Sequence, residues 1–434
     1  MTRAGAHPFR ALRVRNFRLF AAGQTVSVAG TWMSVVAQDW LVLELTDDSA
    51  AALGAVTALQ FTPLLLFTLY GGRLADRHDK RTLLVVTNVV SGLLALLLAA
   101  LVLTGVVTLV RLGVLAFALG LVNSVEVPTR MAFVGELVGN ELLPNASALS
   151  AAYFSVARVA GPAVAGLVIS LAGAGWVLLV NGASYAATVL TLRRVRPDEL
   201  HRATGAPGRA RVTDGLRHVF GRPDLLLPLA LVAGVGLCGL NFQLTLPLLA
   251  KTVFHADAAS FGLLTTAFAA GSLSAAFLTT ARRARPSARL VTTAALVFAV
   301  LETATGGAPG YAGAAVLLFL TGGASIYFAQ AVNHRVQLGS APRFRGRVLA
   351  LYTLILQGST PVGALLMAWV GAEWGARACF VAGGLGSLAA GLAALCARAG
   401  RTGPEPHGPA VPADRPAAEA GAAAWNTRPW TPPP

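Results

Sequence analysis

Apolar residues along this chain gather into stretches long enough to cross a bilayer, separated by short polar segments. Twelve such runs can be marked, at 17–43, 50–71, 82–104, 107–130, 146–170, 173–193, 224–250, 258–281, 287–306, 311–334, 346–370 and 374–397. A helix rises about 1.5 Å per residue, so about 20 apolar residues cover a hydrocarbon core of about 30 Å. Each run therefore predicts one membrane-spanning α-helix, and the chain reads as an all-α, polytopic membrane protein. The first run is interrupted by Gln24 and lacks a small-residue cleavage site, so it reads as a span and not as a cleavable leader.

Between the runs the composition changes. Residues 1–16 form a basic arm, and residues 194–223 form the longest internal linker, rich in Arg, Pro and Gly. The tail from 398 to 434 is Pro/Ala-rich and offers little to bury, so disorder is expected there. The linker divides the chain into an N-terminal six-helix bundle (17–193) and a C-terminal one (224–397). The bundles look like repeats: Arg81 matches Arg289, Arg130 matches Arg335, and Gly161-Pro162 matches Thr360-Pro361, each pair about 200 residues apart. Six helices return the chain to its starting side, so these are parallel repeats about an axis along the membrane normal. Arg-rich loops recur in any protein of this topology, and the matching prolines are what strengthens the repeat reading.

Hydrophobic residues make up 55% of the chain and charged ones 12%, about half the charged share of a soluble domain. The net charge of +15 could suggest nucleic-acid binding. Its placement argues otherwise. Arginines and Lys80 crowd the N-terminal arm and the 2–3, 6–7, 8–9 and 10–11 segments, whereas the opposite face carries only Arg111, Lys251 and Arg377. That asymmetry is the positive-inside pattern; it puts both termini in the cytoplasm of a cell-membrane protein and excludes nucleic acid as the partner. Cys238, Cys379 and Cys396 fit packing roles better than a disulfide or metal set. Neither Lys80 nor Lys251 sits in a phosphate-loop frame and no His-Glu-x-x-His occurs. No cofactor, metal or enzymatic activity is expected.

The loop Gly72-Arg73-Leu74-Ala75-Asp76-Arg77-His78-Asp79-Lys80-Arg81 resembles the 2–3 loop of the major facilitator superfamily, Gly-x-Leu-Ala-Asp-Arg-x-Gly-Arg-Arg, with Asp79 where Gly is usual. Further likeness, to the drug and siderophore exporter branch that includes the enterobactin exporter, lies in Gly30–Thr46, in Pro128-Thr129-Arg130 with Arg158–Pro162, and in Asn333-His334-Arg335 with Arg345–Val348. The resemblance implies the major facilitator fold over residues 17–397, alternating access, and a central cavity lined by helices 1, 4, 7 and 10. It also implies that Asp76 contacts the cytoplasmic end of helix 11, while Arg77 and Arg81 help latch the bundles, with Gly72 opening the motif. A carboxylate at a helix N-terminus gains about 0.3–1 kcal/mol from the dipole. Export by antiport is suggested by Gly161, Pro162 and Gly166 alone among that pattern's helix 5 positions.

Arg158 falls about 18 Å from the inner end of helix 5, near mid-membrane. An arginine there costs at least about 2.5 kcal/mol on insertion scales, so it should face a wet cavity or a partner. It is either a substrate or gating residue, or one arm of a structural ion pair. Pro162 removes a backbone bond to the Arg158 carbonyl, which predicts a bend, and Pro361 is its counterpart. Asn123, Glu126 and Arg130 share one face of helix 4. Gln330, Asn333, His334 and Gln337 make a stripe on helix 10; Asn241, Gln243 and Gln24 would complete the cavity lining, with Trp32, Tyr153, Phe242 and Tyr327 as aromatic candidates. Glu126 is the preferred proton carrier, because a carboxylate against a low-dielectric wall exchanges its proton readily and an approaching Arg158 would expel it. Asp39 is second and Glu302 third. The expected activity is proton-coupled efflux of small amphipathic or siderophore-like molecules by a monomer in contact with lipid. The alternatives are an importer of an anionic metabolite held by Arg158, or a non-transporting sensor or scaffold whose basic linker binds a partner or anionic lipid.

Overall fold

The computed structural model describes residues 9–202, 217, 219–280, 284–341 and 344–399. Residues 1–8 of the arm, most of the linker between 203 and 218, and the tail from 400 lie outside the described residues. Ten helices among the described residues are long and apolar enough to cross a membrane. Two of them are interrupted at a glycine with non-helical torsions, Gly139 (φ 71°) and Gly375 (φ 81°), which divides each in two. The result is twelve spans: α1 Arg15–Leu45, α2 Ala50–Arg77, α3 Lys80–Leu103, α4 109–138, α5 140–172, α6 Ala174–Arg193, α7 Pro223–Val253, α8 Ala258–Thr280, α9 Ala288–Gly306, α10 Tyr311–Gly339, α11 345–374 and α12 376–399. Strands are absent among the described residues.

Helix starts follow the side chains available to satisfy orphan amides. Ser49 accepts from Ala52 N at 3.2 Å, Asp79 from Thr82 N at 2.8 Å, Thr108 from Arg111 N at 3.3 Å and Ser287 from Leu290 N at 3.1 Å. Asp79 therefore caps α3 with an ordinary φ of −61°, and the motif needs no glycine at that position.

Two sequence expectations are corrected. The segment 131–145, expected as a loop, is helical on both sides of Gly139. Phe133, Val134, Leu137 and Val138 explain this: they extend α4 beyond its apolar run to pack with Phe17, Phe20 and Leu84. The run 224–250, expected as one helix, is broken: α7 stops at Cys238, resumes at Phe242 and ends in a π-turn, Leu249–Val253.

The two halves pack alike. In the first, a Cβ at Gly71 would collide with the Ser124 carbonyl and one at Gly120 with the Gln60 carbonyl, binding α2 closely to α4. In the second, Gly271 stands in the same relation to Phe319 and Gly322 to Phe268, binding α8 to α10. The same reciprocal device about 200 residues on is what parallel repeats require. Leu66, Leu93, Leu171 and Leu278 are more than half exposed on the outer faces, as lipid contact demands.

Across the halves, α5 meets α8 and α2 meets α11. A Cβ at Gly262 would collide with the Pro162 carbonyl, and one at Gly54 would lie 3.0 Å from the Ala364 carbonyl. Pro162 and Pro361 both lie inside continuous helical stretches, and Gly161 brings α5 against α1, where a Cβ would be 2.8 Å from Trp32 Cβ.

Candidate functional site

A cavity of about 490 Å³ lies between the halves. On α1, Trp32, Val35, Val36 and Asp39 recur at helical spacing and present one face to it; α5 contributes Arg158. From the other half come Leu240, Phe242 and Gln243 at the break of α7, Thr265 and Phe268 of α8, Ser325 of α10, and Thr353, Gln357 and Thr360 of α11. A smaller cavity of about 130 Å³ adjoins it and shares Arg158, with Ser155, Ser272 and Gln330 in its wall.

Arg158 spans the seam. Its guanidinium carbon stands 5.5 Å from the Trp32 ring centroid in one half and 6.0 Å from that of Phe268 in the other. Such contacts are worth about 0.5–2 kcal/mol each, more as water is excluded. Among the described residues no acid pairs with it, so the structural ion pair is not its arrangement here. Asp39 is 5% exposed and, among the described residues, has neither hydrogen bond nor ion pair. A lone cation and a lone carboxyl thus face one mostly apolar chamber. Such a chamber can hold an amphipathic guest by its apolar body and orient it through a few polar groups.

The other sequence candidates are distributed around this chamber. Gln243 lines it and Gln330 lines its annex, accepting from Thr279 Oγ1 at 2.6 Å. Glu126 is bound to Arg130 at 3.0 Å along α4, and Arg130 also reaches Tyr153 of α5; neither charge lines the cavity. Asn123 and Asn333 are half-buried outside the lining, and Gln24 is buried within the α1 packing. Asn241 closes the broken end of α7, donating to Leu237 O at 2.9 Å and Cys238 O at 3.2 Å. In the 2–3 loop, Arg81 donates to the carbonyls of Leu192 (2.8 Å) and Arg193 (2.9 Å), capping α6, while Asp76 and Arg77 are exposed and Gly72 has open space beside it.

Sequence reasoning missed two features. The stripe Thr353, Gln357 and Thr360 on α11 has cavity spacing (i, i+4, i+7) and was legible in principle. The closure at the end remote from the basic loops was not. There Lys251 Nζ pairs with Asp48 Oδ1 at 2.8 Å and lies 5.1 Å from the Trp40 ring centroid. Trp40 in turn donates to Glu44 at 2.6 Å and stacks on Phe261 at 6.0 Å. Ser170 Oγ accepts from Ala259 N at 3.1 Å beside it, so this end is tied shut across both halves.

Comparison with known proteins agrees with this architecture. The model of the transmembrane secretion effector family, a major facilitator family, matches residues 6–413. The staphyloferrin A transporter of Staphylococcus aureus is 26% identical over 265 residues, covering 59% of this chain and 64% of that protein, just under two thirds of its length. The multidrug efflux pump Tap of Mycolicibacterium fortuitum is 27% identical over 394 residues, covering 87% of this chain and 94% of the pump. Among solved structures, the nucleoside transporter NupG superposes with a TM-score of 0.70 at 11% identity, over 88% of this chain and 98% of that one, a likeness of fold alone. A twelve-helix frame in matched halves, a chamber at their seam and a family model spanning nearly the whole chain lead to one assignment: the protein belongs to the transmembrane secretion effector family of major facilitator transporters.

Proposed function

We propose that this chain is a secondary active exporter that expels small amphipathic molecules, siderophore-like ones included, in exchange for protons by alternating access. The observation that carries the reading is Arg158, held in the chamber between Trp32 of one half and Phe268 of the other. A group shared by two rocking bodies changes its surroundings whenever they move. Asp39 supplies a carboxyl in the same chamber with no cation committed to it, and it takes the coupling role ahead of Glu126, which Arg130 already matches. A guest's anionic or hydrogen-bond-accepting group would lie against Arg158 and its apolar body along Phe242 and Phe268. Protonation of Asp39 would then accompany release.

Two supports come from outside the chamber. The relatives named above are a siderophore transporter and a drug efflux pump. The basic segments on one face support a cell-membrane protein with both termini in the cytoplasm. With the remote end tied by Lys251 and Asp48, Asp76 and Arg77 are free to engage the far half when that end opens, which is the latch reading of the 2–3 loop. The protein acts as a monomer surrounded by lipid. A second reading, import of an anionic metabolite, is favoured by the same unpaired Arg158 and differs in the direction of flux. Proteoliposomes of known orientation, given a panel of amphipathic dyes and siderophores under an imposed pH gradient, test both. Efflux against the proton gradient supports export; gradient-driven uptake toward the cytoplasmic side supports import instead.

A further inference from the structure

A second carboxyl, outside the chamber lining, is buried more completely than Asp39. Glu302 of α9 is 2% exposed, and its Oε2 has no hydrogen-bond partner. It packs against the break in α7: a Cβ at Gly239 would lie 2.5 Å from Glu302 Oε2 and 2.5 Å from Ser387 Oγ of α12. Ser387 is itself fully buried and its Oγ is unpartnered. Gly383 of α12 completes the recess, since a Cβ there would be 2.8 Å from both Glu302 Oε1 and the Cys238 carbonyl.

The charges around it are few. From α7 the Cys238 thiol interacts electrostatically with Glu302. From α12, Arg377 is engaged one turn further on, at Gly306 O (3.2 Å). From α10, Thr321 pairs with Thr305 of α9 at 3.2 Å. Among the described residues no ion pair reaches Glu302. An ionised carboxylate without donors is disfavoured in such a place, and the neutral acid is the form the recess suits. A metal cation would need a shell of oxygens, and among the described residues no His, Cys, Asp or Glu cluster surrounds this one. A proton needs only the carboxyl.

The recess is also the back of the chamber wall. Gly239 touches Glu302, while Leu240, Phe242 and Gln243, the residues just beyond it, face the chamber. Phe242 lies 6.1 Å from Phe298, one turn before Glu302, and 4.3 Å from Phe268, which holds Arg158. We propose that Glu302 is a proton-binding site separate from the central chamber, and that its loading sets the bend of α7 and thereby the position of Phe242. Loss of the proton leaves a carboxylate that demands donors, and the donor sharing its recess is Ser387 Oγ–H, across Gly239 at the break of α7. The site stands whether or not Asp39 carries a proton.

Two measurements on the full-length protein in nanodiscs test it without a transported substrate. Infrared spectra, taken in an Asp39→Asn background so that the chamber carboxyl does not contribute, should show the carbonyl band of a buried protonated carboxyl at neutral pH that is lost in Glu302→Gln and retained in Glu302→Asp. Hydrogen exchange of residues 237–243, corrected for intrinsic rates, should change about tenfold across the pH range that bleaches that band, and be flat in Glu302→Gln. Absence of the band while Glu302 is intact, its persistence in Glu302→Gln, or an undiminished pH response of α7 in that variant would each overturn the proposal. So would bleaching of the band by sodium at constant pH, which would make the ligand a metal ion. The Glu302→Asp variant and the unmodified protein keep the test decisive if the glutamine variant does not fold.

Discussion

At Gly166 the closed end is sensitive to one added carbon. A Cβ there would collide with the Ala258 carbonyl and lie 3.0 Å from Ala259 Cα, backbone atoms at the start of α8 that cannot rotate away. In Gly166→Val the collision exists only while α5 and α8 are in contact. Overpacking of this kind costs about 1–3 kcal/mol, charged to the closed arrangement alone, so the balance between closed and open forms should move about 5- to 150-fold. The assay is the distance distribution between spin labels at Leu171 and Leu263, both exposed, in a background with the three cysteines replaced. The variant should transfer population to a longer distance, while Gly310→Ala, which has open space and extended torsions, should not. A folded Gly166→Val protein with an unchanged distribution would refute the claim that this seam opens.

Three further outcomes follow from the same geometry. Arg158→Lys keeps the charge but loses the flat face that Trp32 and Phe268 hold, and should weaken guest binding about tenfold in equilibrium dye titrations. Lys251→Met removes a partly exposed ion pair, so it should favour opening by about 1 kcal/mol or less, an effect that high salt reproduces in the same distance measurement. Asp79→Ala should cost about 1 kcal/mol in thermal unfolding at pH 7, since the α3 cap is lost and the exposed Arg202 pair adds little. Burial would raise the Asp79 carboxyl, but bonds from Thr82 and the charges of Arg202 and Arg81 outweigh it and hold it below the usual range. A depressed group stabilises the fold above its unfolded value of about 3.9, so the gap between variant and parent should be full at neutral pH and close as pH falls through the folded value.

The spans were legible because lipid imposes a length on every apolar run, and those lengths survive in the sequence. What the runs could not show was where helical structure continues outside the bilayer. Residues 131–138 carry a Gly and a Glu, yet fold as helix because Phe133 and Leu137 find Phe17 and Phe20, a tertiary contact with no local signature. The break in α7 was hidden for the converse reason: residues 224–250 are mostly apolar, Asn241 and Gln243 read as cavity lining, and it is the packing of Gly239 against Glu302 and Ser387 that accompanies the break. Arg158 and Asp39 stood out because charge at membrane depth is costly. Glu126 ranked ahead of Asp39 as the proton carrier by that criterion, but sequence spacing alone could not decide whether Arg130 or the chamber would take it.

The decisive measurement of export through the Arg158 chamber is flux in oriented proteoliposomes with an imposed pH gradient, run beside Arg158→Ala. Gradient-driven movement of an amphipathic dye or siderophore out of the cytoplasmic side is expected in the parent and none in the variant. Dye movement that ignores the gradient, or that survives unchanged without Arg158, would contradict it.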